Sequence, residues 1–170
     1  AVGKVTPFTD LAEGLAEHGI ATIRYNKRAN EHSYEMRKAK DLPPVTVREE
    51  TINDALYATE MLREDPRIDA RNIFIIGHSM GGMLAPRIDS GGGKYRGIIM
   101  MSGSPRKIEE LIIEQNQTLI NDMRGLTKRM AQKQLENLKK DFAAMFTVTD
   151  KEASKRKMTG GNTLYYYNPN

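Results

Sequence analysis

The run Asn72-Ile73-Phe74-Ile75-Ile76-Gly77-His78-Ser79-Met80-Gly81-Gly82 decides how the chain is read. Residues 72–76 are short, apolar and bounded by polar neighbours, which predicts a buried strand, and residues 80–89 read as a helix despite Pro86. Between them Gly77-His78-Ser79-Met80-Gly81 fits G-x-S-x-G, the spacing of a serine held on a strand-to-helix turn. With Gly and Ser each at about 7% of residues, a match somewhere in a chain of this length has a chance probability of roughly 0.06, and requiring strand before and helix after lowers it severalfold. The spacing has a steric reason. A serine on so tight a turn adopts a strained backbone conformation, and side chains two positions before and two after it would collide, so glycine is expected at both. The plainer alternative is a glycine-rich turn with an incidental serine at a helix start.

Working outward, Ser90-Gly91-Gly92-Gly93 reads as a turn and residues 97–101 as a second buried strand. Upstream, Phe8, Leu11, Ala12, Leu15 and Ala16 fall at helical spacing, with Thr6-Pro7 as start and Gly19 as stop. Residues 20–25 are short and β-branched and read as a strand. They are followed by a polar loop over 26–40 that Pro43-Pro44 breaks. Ile52, Ala55, Leu56, Thr59 and Leu62 form another helical stripe, ended by Pro66. Such alternation, with strands apolar on both faces, predicts an α/β fold, a parallel sheet covered by helices. After Pro105 the pattern changes. Ile108, Leu111 and Ile112, then Ala131, Leu135, Leu138, Phe142 and Met145, describe two helices with no later strand. Residues 1–105 therefore read as core, 106–158 as a helical insertion and 159–170 as a return segment. The methionines and leucines of the late helices are first of all core, with an acyl pocket as the alternative.

Composition narrows the function. The chain has 170 residues, 39% of them hydrophobic, which excludes disorder and collagen-like structure. No apolar run approaches the roughly 18 residues of a membrane span, and the N-terminus has no basic region followed by an apolar core, so no signal peptide is expected in these residues. Lys and Arg number 26 against 22 Asp and Glu, a net charge of +4. The densest basic run, residues 151–157, contains Glu152 and no aromatic, so it reads as a solvated face and no nucleic-acid partner is expected. The absence of cysteine excludes a disulfide framework, a thiolate zinc site and a cysteine nucleophile, and fits a reducing, cytoplasmic location. No His, Asp and Glu set has metal spacing, and Gly91-Gly92-Gly93 lacks the Lys-Ser or Lys-Thr continuation of a P-loop. Neither metal nor nucleotide cofactor is expected.

With the elbow in place, the chain resembles the α/β-hydrolase superfamily. Residues 7–28, P-F-T-D-L-A-E-G-L-A-E-H-G-I-A-T-I-R-Y-N-K-R, look like the helix and fourth strand of bacterial dienelactone-hydrolase-like or serine-aminopeptidase-like members. Those often carry R-Y-D-K-R where this chain has Asn26 in place of Asp. Met80-Gly81-Gly82-Met83-Leu84-Ala85-Pro86-Arg87 and Met101-Ser102-Gly103 are similar to that group's helix and following strand. The resemblance implies an incomplete α/β-hydrolase fold, with residues 106–158 as a cap over the C-terminal ends of the strands and an apolar space above Ser79. Family members supply Ser, then Asp or Glu after a later strand, then His near the C-terminus. No histidine follows Ser79 here. Tyr165-Tyr166-Tyr167-Asn168-Pro169 resembles the stretch before the strand leading to the acid, and Ala1 falls after the early strands and one oxyanion loop. The resemblance thus implies the middle of a hydrolase, without the strand that lies between residues 20–25 and 72–76 in the family.

The implied chemistry is acyl transfer to water from a small-molecule acyl substrate, with Ser79 as nucleophile and the backbone N–H of Met80 as an oxyanion donor. His78 adjoins Ser79 but occupies the variable motif position, where a side chain points elsewhere. His32 follows an expected strand end and could lie on the site's side of the sheet, against the plainer reading of a surface loop histidine. His18, beside the Gly19 stop, reads as a helix-end residue. Asp89, Asp122, Asp141 and Asp150 follow Ser79, but each lies in or beside an expected helix and none makes a convincing triad acid. The rival to a serine esterase-type hydrolase is a non-catalytic protein that keeps the elbow as a binding module. Substrate identity and oligomeric state stay open.

Overall fold

The computed structural model describes residues 6–38, 45–153 and 155–159. Helix α1 (Pro7–Glu17) begins with Pro7 in its first turn, where a missing N–H costs nothing. It ends in a Schellman closure at Gly19 (φ 75°), with Gly19 N–H donating to Ala16 O at 2.9 Å and Ile20 N–H to Leu15 O at 3.0 Å. The strand expected over residues 20–25 is not formed. Residues 20–27 are exposed and have no ladder partner. A strand is held by hydrogen bonds to its neighbour, and among the described residues no strand pairs with this segment. Side chains tether the segment instead: Arg28 donates to the Asp54 carboxylate through Nε at 3.1 Å and through one terminal nitrogen, Nη2. The polar stretch read as loop contains two short helices, α2 (Arg28–Glu31) and α3 (Ser33–Lys38), in keeping with the Ala, Glu, Arg, Met and Lys they carry. Pro43-Pro44 lies outside the described residues.

A π-helical turn, Arg48–Asn53, runs directly into α4 (Asp54–Glu64), and together they bury Ile52 and Ala58. Pro66 stops α4 by pushing Asp65 into an extended conformation (ψ 117°). Then come β1 (Phe74–His78), α5 (Met80–Ile88) and β2 (Gly97–Met101). The two strands form a parallel pair in which Phe74 faces Gly97 and His78 faces Met101. A parallel pair needs a crossover, and α5 with the π-helical turn Asp89–Gly93 supplies it. Pro86 is tolerated inside α5 near its end. The chain leaves that turn through Gly92 (φ 126°) and Lys94 (φ 44°). Arg63 donates to the Gly93 carbonyl and pins the turn to α4. Ile88, 2% exposed, anchors α5, a burial that contributes about 2 kcal/mol.

The strands were expected to be buried on both faces, and they are not. Alternation puts Ile75, Gly77, Ile98 and Met100 on the face that α5 covers and Phe74, Ile76, His78, Ile99 and Met101 on the other. On that second face Phe74 is 54% and Ile99 47% exposed. From α1, Phe8 reaches it, its ring meeting the His78 imidazole edge-on at 5.6 Å. One helical layer covers one face.

The late stripes form α6 (Ile108–Asn121) and α7 (Gly125–Met145), packed on each other and followed by α8 (Asp150–Ala153). Phe142, Ala153 and Met158 are the buried centre of this unit, with Ile112, Ile113 and Leu138 against them. Asp141 is buried beside them, its carboxylate accepting from Arg156 at 3.2 Å and from the Thr159 N–H at 2.9 Å. Not every apolar residue here is core: Leu119, Leu126, Met130 and Phe146 are exposed. Of the expected return segment, residues 160–170 lie outside the described residues. Among the described residues no helix is long and apolar enough to cross a membrane.

Candidate active site

Ser79 joins the last rung of the sheet to the first turn of a helix. Its N–H donates to Met101 O at 2.9 Å, continuing the ladder, and its carbonyl accepts from Met83 N–H at 3.1 Å, opening α5. Ser79 meets both constraints at φ 54° and ψ −120°, a region that costs a residue bearing a Cβ about 1–3 kcal/mol. The side chain does nothing to repay that cost locally. A serine at a helix start ordinarily caps it with its hydroxyl, yet Ser79 makes no side-chain capping bond and stands exposed. An incidental capping serine is therefore a poor description of it.

The glycines explain how the turn closes, with one change from the expected pattern. A Cβ on Gly77 would come within 2.6 Å of Gly81 C and Gly82 N and closer still to the Gly81 carbonyl oxygen. That position admits only glycine. Gly81, two residues after the serine, meets nothing within 4 Å, so no collision requires glycine there. The second close approach belongs to Gly82, whose Cβ would lie 3.0 Å from Gly77 O and 3.1 Å from Gly103 Cα. Helix α5 thus sits hard against both strand ends, and Met80 is its first residue.

No expected partner joins the serine. His78 is exposed and its ring lies against Phe8 on the uncovered sheet face. His32 follows α2 as an exposed residue. His18 sits at the end of α1 with Nδ1 2.9 Å from Gly14 O. Asp89 accepts from Tyr95 N–H at 2.8 Å, Asp141 is occupied by Arg156 and Thr159, Asp122 ends α6 and Asp150 begins α8. Among the described residues, no three His, Asp or Glu side chains group as a metal site. An apolar groove of about 510 Å³ runs between α6 and α7, walled by Ile112, Ile120, Leu135, Leu138, Phe142 and Met158. Its walls include neither Ser79 nor any strand residue, so it is not the apolar space expected above the serine.

One feature of the crest was missed in the sequence. Ser102 immediately follows β2, is exposed, and also has a positive φ of 51°. Continuing the register places it next to Ser79 on the neighbouring strand. The signal available was Ser-Gly directly after an apolar run, a turn-forming pair.

Comparison with known proteins adds one likeness. A stretch of 114 residues, 67% of this chain, is 35% identical to Esterase EstD of Thermotoga maritima and spans 26% of that protein's length. No protein-family model and no solved structure matches the chain. The chain is therefore a mixed α/β unit, with a small parallel sheet and flanking helices, that over two thirds of its length is similar to a quarter of an esterase.

Proposed function

We propose that the chain is the central part of a serine hydrolase of the α/β-hydrolase type, acting on a carboxylic ester, thioester or related small acyl compound. The observation that carries this reading is Ser79 itself: strained at φ 54°, exposed, uncapped, and wedged between a strand end and a helix start that only Gly77 allows to meet. The likeness to Esterase EstD supports it. In this reading a base takes the Ser79 proton as Oγ attacks the carbonyl carbon, and the Met80 N–H donates to the oxygen that becomes negative. Expulsion of the alcohol or thiol leaves an acyl-serine, which water then cleaves. The base and its acid partner belong to sequence this chain does not contain. Residues 1–105 are then core, and 106–158 a cap that begins five residues after Met101, the last residue of β2.

Turnover of p-nitrophenyl esters tests this, measured on the 170-residue chain, the full-length parent and the parent's Ser79→Ala variant at matched concentration and pH. The parent is fast, the chain alone slow, and Ser79→Ala lowers the parent's rate by about 10⁴- to 10⁶-fold. An inactive parent favours a non-catalytic binding protein. A chain that is active alone and loses activity on Ser79→Ala contains its own base, and His32→Ala is then the variant to examine.

A further inference from the structure

Resting on the reading of Ser79 as nucleophile, we propose that Ser102 is a second residue of the same site, its hydroxyl donating a hydrogen bond to the ester group held at Ser79. The juxtaposition comes from the sheet. His78 pairs with Met101, Ser79 N–H bonds to Met101 O at 2.9 Å, and the next residue of β2 is Ser102. Adjacent strands are spaced by about 4.8 Å, so the two serines stand side by side at the C-terminal edge, where a parallel sheet places its ligands. An ester whose carbonyl carbon meets Ser79 Oγ has its oxygens within reach of a hydroxyl at that spacing.

Two further observations separate Ser102 from an ordinary loop serine. Its φ of 51° lies in the left-handed region, where glycine or asparagine is the less costly occupant, and Gly103 follows immediately. An exposed serine there offers its hydroxyl to a molecule bound at the C-terminal edge of the sheet. The loop is also held in position: a Cβ on Gly103 would lie 3.0 Å from Gly82 C and 3.1 Å from the Met100 methyl, so the residue after Ser102 is seated on the first turn of α5. Ser79 and Ser102 are fixed to the same helix end from two sides, which keeps their relative placement constant.

The test uses the full-length parent and two variants that the left-handed backbone accepts. Ser102→Gly removes the hydroxyl and Ser102→Asn supplies another donor. With p-nitrophenyl acetate, Ser102→Gly is expected to lose about 5- to 20-fold in kcat/KM, the effect of one hydrogen bond, while its melting temperature holds or rises because the positive φ is relieved. Ser102→Asn is expected to recover at least a third of the wild-type value. A purely structural Ser102 gives the opposite pairing, stability changed and kcat/KM untouched. Wild-type kcat/KM in Ser102→Gly, equal losses in both variants, or a loss that follows a lowered melting temperature overturns the proposal. Ser79→Ala is run alongside: if it stays active, the nucleophile reading itself fails, whereas an inactive Ser79→Ala with a fully active Ser102→Gly refutes only the role of Ser102.

Discussion

Adding one methyl group at position 77 separates the two glycines on either side of Ser79. In Gly77→Ala the new Cβ falls within 2.6 Å of Gly81 C and Gly82 N, distances that real Cβ atoms do not show, and the atoms it meets are backbone. No side chain can swing aside. Relief requires the first turn of α5 to retreat from the sheet, breaking the seat of Gly82 on Gly103 and loosening the Ser79 N–H bond to Met101 O. Overpacking of a close-packed site costs typically 1–3 kcal/mol, and an encounter between main chains belongs at the upper end, about 3 kcal/mol. For a chain of this size that lowers the melting temperature by about 6–12 °C. Gly81→Ala has the opposite expectation. Nothing lies within 4 Å of its Cβ, and alanine is the better helix former by up to about 1 kcal/mol, so that variant is neutral or stabilised. Urea unfolding followed by circular dichroism measures both. Equal destabilisation by the two alanines, or a Gly77→Ala variant within about 0.5 kcal/mol of wild type, refutes the steric account of the turn.

Other expectations follow from single contacts. Asp141→Ala leaves Arg156 and the Thr159 N–H without their buried acceptor and should cost about 2 kcal/mol in urea unfolding; half of the Arg156 side chain is solvent-exposed, which limits the loss. Among the described residues the Thr51 hydroxyl is buried with no hydrogen-bond partner, so Thr51→Val, of the same shape, should be neutral or stabilising by up to about 1 kcal/mol. Arg67 holds Asp65 down to about 2, first through its side-chain hydrogen bonds and then through its N–H. The folded value lies below the unfolded one, so the stabilisation is present above pH 4 and is lost as pH falls toward 2; NMR titration should show the Asp65 midpoint near 2 and its rise toward the ordinary carboxylate value in Arg67→Ala.

What was legible in the sequence and what was not divide along the range of the interactions involved. The strand-to-helix turn at Ser79 was legible because its cause is local: an apolar run, a glycine that admits the helix, and a serine between them all lie within residues 72–82. Gly19 as the stop of α1 and Pro66 as the stop of α4 were legible for the same reason. The strand at residues 20–25 was misread because β-branched composition reports only a willingness to pair, while pairing depends on a neighbour far along the chain or outside it. The uncovered face bearing Phe74 and Ile99 was missed likewise, since an apolar run shows that a strand could be buried but not what buries it. Gly82 rather than Gly81 touches the opposing backbone, and Ser102 stands beside Ser79, because of how α5 crosses from one strand end to the next. Neither fact is contained in any window of residues. No histidine follows Ser79 in the sequence, and the His78 ring lies against Phe8.

The central claim is that Ser79 is a nucleophile, and covalent labelling addresses it most directly. The full-length parent is treated with a fluorophosphonate, digested, and the modified peptide sequenced by mass spectrometry, with the Ser79→Ala variant treated in parallel. The account predicts a single phosphonyl adduct on Ser79, formed at a rate that falls when a substrate ester competes, and no adduct in Ser79→Ala. An adduct on another serine, or none in a protein that hydrolyses esters, contradicts it.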